Sequence, residues 1–271
     1  GAEWTVLVYM CGSNLESDYA DENDGCASND LYEIATAGSK PSDVNVVVQA
    51  GGSTQWSSRY SSVINKNNTN RFHLNESKGY VSDSQTSKSD MSKASTLQSF
   101  ISWGMQKYPA KKTGLILWNH GGAMSGCCYD DQFNQGRECL QPNEVYTACT
   151  QGIPSGKKLE FIGYDACLMS VQDIAGLNSE YAKYMIASEE AEWGYGWTYN
   201  EWVDDLFAKS PTETILKACV DSFYSETEEV YDYWGEDNDQ TLAYYNLQNW
   251  DAYETAWEDF SQYLSNSVIK S

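Results

Sequence analysis

The sequence predicts an α/β fold: a doubly wound, mostly parallel sheet with helices on both faces and a small β-hairpin insertion. Three observations predict it. Strand-like runs alternate along the chain with runs of helical periodicity, which is the order of βαβ units. The strand-like runs are apolar without polar alternation, as strands covered on both faces are. Two of them lead straight into reactive side chains, at the strand ends where open α/β sheets gather their ligands.

The elements follow in order. Residues 4–10 (WTVLVYM) read as the first strand, ended by Cys11-Gly12-Ser13-Asn14. Residues 44–50 (VNVVVQA) read as the second, stopped by Gly51-Gly52. Residues 60–82 carry short alternating stretches around Phe72 and Tyr80, expected to form a hairpin or meander beside the main sheet. Residues 82–95 are polar and Ser-rich and read as a surface loop. Ser95 then caps a helix whose apolar face is Leu97, Phe100, Ile101, Met105 and Tyr108, until Pro109 stops it. Strands are expected at 113–118, 159–164, 183–187 and 242–247, and helices at 143–148, 171–177 and 212–223. The last helix, 250–264, places Trp250, Tyr253, Trp257, Phe260 and Leu264 at helical spacing, and that stripe is expected to pack in the core. The whole is read as one domain, 1–271, long enough to bury about 75% of the surface its unfolded chain exposes.

Charge narrows the partners. Lys and Arg number 17 against 39 Asp and Glu, a net of −22. Such a surface repels nucleic acid and anionic membranes and favours basic ligands. No apolar run approaches the ~18 residues a spanning helix needs. No export signal stands at the start, and one is expected to have been removed: the protein is expected to be exported, secreted or held at the cell surface. The two histidines leave no room for a multi-histidine metal site. The eight cysteines contain no CxxC pair, so zinc-site spacing is absent.

The reactive side chains sit just beyond two strands. LILW leads into Asn119-His120-Gly121-Gly122, and LEFIGY leads into Asp165-Ala166-Cys167. The chain between them has room for one helix and one strand, so the two ends can be neighbours. A thiol facing an imidazole is a nucleophile with its base, and the same imidazole can protonate a leaving amine. Gly121 can bring its N–H close to a developing oxyanion, with the Cys167 N–H as second donor. The competing reading is a buried free thiol and a hydrogen-bonded histidine with no chemistry.

TVLVYMCGSNLES, LILWNHGG, FIGYDACLMS and ASEEAEWGYGW, in this order from Trp4 to Trp197, resemble the clostripain family of cysteine peptidases. The resemblance implies a caspase-like α/β fold, a dyad of His120 and Cys167, and cleavage of proteins or peptides after Arg or Lys. It implies that Asp165 lines the primary specificity pocket, and that the chemistry requires no cofactor and no metal. Some relatives place an acid just before the Gly-Trp pair, where this chain has Tyr195. Glu189, Glu190 and Glu192 lie nearby, and Glu190 is taken here as the substituting substrate-binding residue. Some relatives respond to calcium, and the cluster Asp18, Asp21, Glu22 and Asp24 before Gly25 is kept as a calcium candidate. It lacks the Glu of an EF-hand loop, so a solvated acidic loop is the better reading. Members often cut themselves in the loop after the catalytic His; here that loop, 123–141, has one basic residue, Arg137.

Other residues carry blander expectations. His73 reads as a surface residue, and Cys11 as a small packed one. Cys139 is a disulfide candidate with Cys127 or Cys128. The alternatives to an enzyme are a peptidase-like domain with an idle dyad and a surface-exposed binding module that uses its 10 Trp and 20 Tyr.

Overall fold

The first strand, β1 (Ala2–Cys11), is buried on both faces from Trp4 onward, and the rest of the fold is wound around it. The computed structural model describes residues 1–20, 25–235 and 238–268. After β1 come α1 (Ser13–Ser17), α2 (Cys26–Thr36), β2 (Val44–Gly51), β3 (Asn68–Leu74), β4 (Tyr80–Ser87), α3 (Ala94–Lys107) and β5 (Ala110–Trp118). Then follow α4 (Pro142–Gly152), β6 (Leu159–Asp165), α5 (Gln172–Ser179), β7 (Ala182–Ala187), α6 (Tyr199–Phe207), α7 (Thr212–Trp234), β8 (Ala243–Asn246) and α8 (Trp250–Val268). The strand order is β4-β3-β2-β1-β5-β6-β7-β8. The five central strands are parallel; β3, β4 and β8 run antiparallel at the edges. The sheet is the doubly wound one that the sequence predicts.

Alternation along β1 feeds two separate cores. Trp4, Val6, Val8 and Met10 pack with Leu31 and Ile34 of α2, Trp202 and Leu206 of α6, and Ile215 and Phe223 of α7. Leu7, Tyr9 and Cys11 pack on the opposite face with Phe100 and Ile101 of α3, Val145 and Ala148 of α4, and Ile174 of α5. Each fully buried side chain of this size contributes about 1.5–3 kcal/mol relative to exposure. The central strands are therefore the most firmly held part of the molecule, and their carboxyl ends form a rigid platform.

Four expectations change. The 60–82 hairpin is part of the sheet, because β3 bonds β2 antiparallel. Its second strand runs on to Ser87, into the stretch read as loop, since an edge strand keeps its ladder while its polar side chains face water. The stripe on α8 is not core: Trp257 and Phe260 are 46% and 50% exposed. Helical spacing shows which residues share a face and not whether anything covers it; only half-buried Trp250 reaches the second core. No disulfide forms. All eight cysteines are free thiols, and Cys139 Sγ instead donates to Ser125 O at 2.9 Å.

His73 is half-buried in a structural network at the β3–β4 edge. Its Nδ1 lies 3.0 Å from Asp83 Oδ2 and 2.9 Å from the Tyr108 hydroxyl. Asp21, Glu22 and Asp24 of the calcium candidate lie outside the described residues. Among the described residues no group of three or more His, Cys, Asp or Glu is placed to hold a metal ion, and no helix is long and apolar enough to cross a membrane.

Candidate active site

Strands β5 and β6 pair in register from Gly114↔Phe161 to Trp118↔Asp165. One further bond, Asn119 N–H to Asp165 O at 3.2 Å, closes the ladder. His120 and Cys167 each stand two residues beyond that last pair. Neighbouring strands run ~4.8 Å apart, so both residues leave the sheet at one point of its carboxyl edge. They line the same cavity of about 230 Å³, together with Leu15, Asp165, Glu192 and Trp193. A larger cavity, about 540 Å³, lies between β8 and α8, away from both residues.

The backbone holds each loop in place. Asn119 ties the His120 loop to β1: its Nδ2 donates to Cys11 O at 2.6 Å and to Ser13 Oγ at 2.8 Å, and its Oδ1 accepts from Tyr129 N–H at 2.7 Å. The Cys128 N–H donates to His120 O at 3.2 Å. On the other side, Leu168 adopts a left-handed φ of 65°, rare for a residue with a side chain. Its N–H donates to Glu190 O at 2.9 Å. Strain of this kind gathers at functional sites. Gly121 bridges the two loops. A Cβ there would be driven into the Cys167 carbonyl oxygen, so only glycine lets the loops approach.

His120 has a partner that sequence reasoning missed. Its Nε2 lies 2.7 Å from Asn14 Oδ1. An amide oxygen only accepts, so the proton sits on Nε2 and Nδ1 is the free basic nitrogen. Burial lowers the His120 pKa below its usual value, with the charge of Asp131 working against that. The Asn14 signal was available: it follows the end of β1, the strand next to β5, as His120 follows β5.

Cys167 is half-buried. Its Sγ accepts from the Glu192 N–H at 3.3 Å and approaches Glu192 O at 3.5 Å. Neither the Cys167 N–H nor the Gly121 N–H donates to a carbonyl among the described residues.

Asp165 lies at the base of the cavity, 4% exposed. Its Oδ2 accepts from the Tyr199 hydroxyl at 2.8 Å and from Trp197 N–H at 3.5 Å. Burial pushes its pKa up to about 7, while the Tyr199 bond pulls the other way. The acid beside it is Glu192. Burial, and then the charge of Asp165, raise Glu192 well above the usual carboxyl range. Glu190, expected to play this part, is exposed and serves the loop through its backbone, accepting from Leu168 N–H and the Ser188 hydroxyl. The misassignment is one of phase: in the run Glu189-Glu190-Ala191-Glu192 only the last turns inward. Tyr195, in the place where an acid was expected, is 52% exposed and packs edge-on against Trp193.

The fold recurs in solved proteins. A secreted C11 cysteine protease from Bacteroides thetaiotaomicron, bound to an irreversible peptide inhibitor, superposes with a TM-score of 0.72 at 20% identity, covering 95% of this chain and 70% of that one. An inactive zymogen C11 protease from Parabacteroides distasonis gives 0.66 at 21% identity, covering 93% and 64%. These likenesses establish the caspase-like fold. Clostripain from Hathewaya histolytica is 23% identical over 98% of this chain, which spans 57% of that protein's length. The clostripain family model matches residues 8–271, a span that contains His120, Asp165, Cys167 and the whole sheet beyond the first strand's start. The chain therefore belongs to the clostripain family.

Proposed function

We propose that this chain, as one domain spanning 1–271, is a cysteine endopeptidase that cleaves after Arg or Lys. The observation that carries the reading is the shared register of His120 and Cys167, two steps beyond paired residues and facing one cavity.

In this mechanism His120 Nδ1 takes the Cys167 thiol proton as the sulfur attacks the peptide carbonyl carbon. The carbonyl π electrons move to oxygen, which the N–H groups of Gly121 and Cys167 hold. The tetrahedral species collapses, the C–N bond breaks, and His120 returns the proton to the leaving amine. A thioester remains. Water attacks it with His120 again as base, and the acid product leaves with Cys167 restored to a thiol. The basic side chain before the scissile bond occupies the cavity, where a carboxylate at Asp165 offers a charge-assisted partner. Nothing in these steps calls for a cofactor. Export belongs to the same proposal, supported by the secreted relative.

The test is active-site alkylation beside Cys167→Ala. Iodoacetamide labels Cys167 faster than the seven other thiols, and Cys167→Ala abolishes peptidase activity with circular dichroism unchanged. Unselective labelling, or more than a few per cent residual activity, overturns the dyad.

A further inference from the structure

The cavity beside Cys167 contains one group that these steps leave unused. Glu192 stands in the loop between β7 and α6. Both its carboxylate oxygens are shut off from solvent, and neither accepts a hydrogen bond of normal geometry among the described residues; the Asp165 carboxyl and the Trp197 indole are the polar groups beside it. A carboxyl buried without a donor is among the costliest placements in a protein. Its neighbour Asp165 spends Oδ2 on Tyr199 and Trp197. The Oδ1 atom faces Gly196, whose φ is 64°; a Cβ at Gly196 would stand 2.6 Å from it. Glycine thus keeps that oxygen uncovered on the cavity side. Two carboxyl groups from different loops line one space, with an acceptor to spare on one and two on the other.

We propose that Glu192 is a specificity-determining residue: with Asp165 it forms a two-carboxylate receptor that a single guanidinium or ammonium group bridges, donating to Asp165 Oδ1 and to the Glu192 carboxylate. This rests on the reading that the cavity takes the basic side chain before the scissile bond. It assigns the second acid of the pocket to the loop position of Glu192, in a chain where Tyr195 replaces the acid nearer Gly196-Trp197.

The groups facing the pair fit this role. On α2 they are Asp30 and Glu33, on α6 Tyr199, on α7 Cys219, and beyond β6 Cys167. These are acids, thiols and a phenol, with the Trp197 indole beside Glu192; His120, on the wall of the same cavity, is the one lining group that becomes a cation, and only when it takes the Cys167 proton. Two acids this close share a proton, one carboxyl donating to the other, when the receptor is empty. A cation displaces that proton to the solvent, so basic ligands bind better as pH rises through neutrality, whereas neutral ones gain nothing from it.

The experiment compares kcat/KM for three peptides identical except for Arg, Lys or norleucine before the scissile bond, from pH 5.5 to 8.5. Wild type, Glu192→Gln and Glu190→Gln are assayed. Wild type prefers Arg and Lys, and the preference grows with pH. Glu192→Gln loses roughly 10- to 100-fold of the Arg-to-norleucine ratio, the scale of one hydrogen bond to a charged group. Glu190→Gln keeps the ratio within twofold. A Glu192→Gln ratio within threefold of a basic-preferring wild type overturns the role of Glu192 and leaves the basic pocket standing. A wild type that prefers norleucine overturns the pocket reading itself. The matching peptidyl chloromethyl ketones, read as labelling rates at Cys167 by mass spectrometry, give the same ratios without turnover. Should Glu192→Gln fail to fold, Glu192→Asp replaces it: the shortened acid lowers the ratio at least threefold, and an unchanged ratio overturns the proposal.

Discussion

Asn14 and His120 are 106 residues apart, and the amide oxygen of one lies 2.7 Å from Nε2 of the other. The bond fixes which imidazole nitrogen is free. Asn14→Ala removes the acceptor and leaves both tautomers and several ring orientations open. We expect kcat to fall about 10- to 100-fold with KM little changed, since misplacement of a catalytic group carries costs of that size. Steady-state kinetics with Asn14→Ala checks this; an unchanged kcat removes Asn14 from the machinery.

Burial of His120 disfavours its charged form, so the ring remains a base below its ordinary pKa of ~6.5. With a norleucine peptide, which does not engage the acid pair, activity should therefore persist to lower pH than an exposed imidazole allows. Asn14→Asp puts a negative charge at Nε2, favours the imidazolium, and should shift that acid limb upward. A pH–rate profile of both proteins measures the two limbs.

The buried acids also leave a mark on stability. Asp165 titrates near 7 in the folded chain and carboxyls titrate near ~4 when unfolded, so the folded state binds the extra proton between those values. Stability from the protonated pair is complete below about pH 4 and is lost as pH rises through about 7. Glu192→Gln, which needs no proton, should melt higher than wild type at pH 8, by at least about 2 °C, the shift for roughly 1 kcal/mol at this size. The gap should close at pH 4. Thermal melts at the two pH values decide it.

Arg137 is the single basic residue of the loop 123–141, and it follows a turn in which Asn134, Gln135 and Gly136 all have positive φ. We expect wild-type protein to cut itself after Arg137 on long incubation, and Cys167→Ala and Arg137→Gln to stay whole. Gel electrophoresis with mass spectrometry of the fragments checks it. A single band for all three proteins removes the site.

Much of this was legible in the chain. Apolar runs without alternation mark β1, β2, β5, β6 and β7 because burial on both faces leaves few polar positions, such as Thr5, Gln49 and Glu160. His120 and Cys167 were found because such strands end where loops diverge. What the sequence concealed depends on the third dimension. The strand β4 hides behind Ser, Thr and Gln that face water. Glu192 and Glu190 differ by two positions, and only the path of the loop decides which one is buried. Asn14 meets His120 through the pairing of β1 with β5: its place just past a strand end was visible, but which strand lies beside β5 was not.

The pairing of β5 with β6 has a further consequence for the continuity of the chain. Residues before Arg137 supply β1 to β5, and residues after it supply β6 to β8. The two pieces meet along five residue pairs of parallel ladder, from Gly114↔Phe161 to Trp118↔Asp165, and share both cores. A nick after Arg137 therefore severs a covalent link that the sheet does not need. His120 on one piece and Cys167 on the other would remain in register, so two separately produced halves have the means to reassemble into one site.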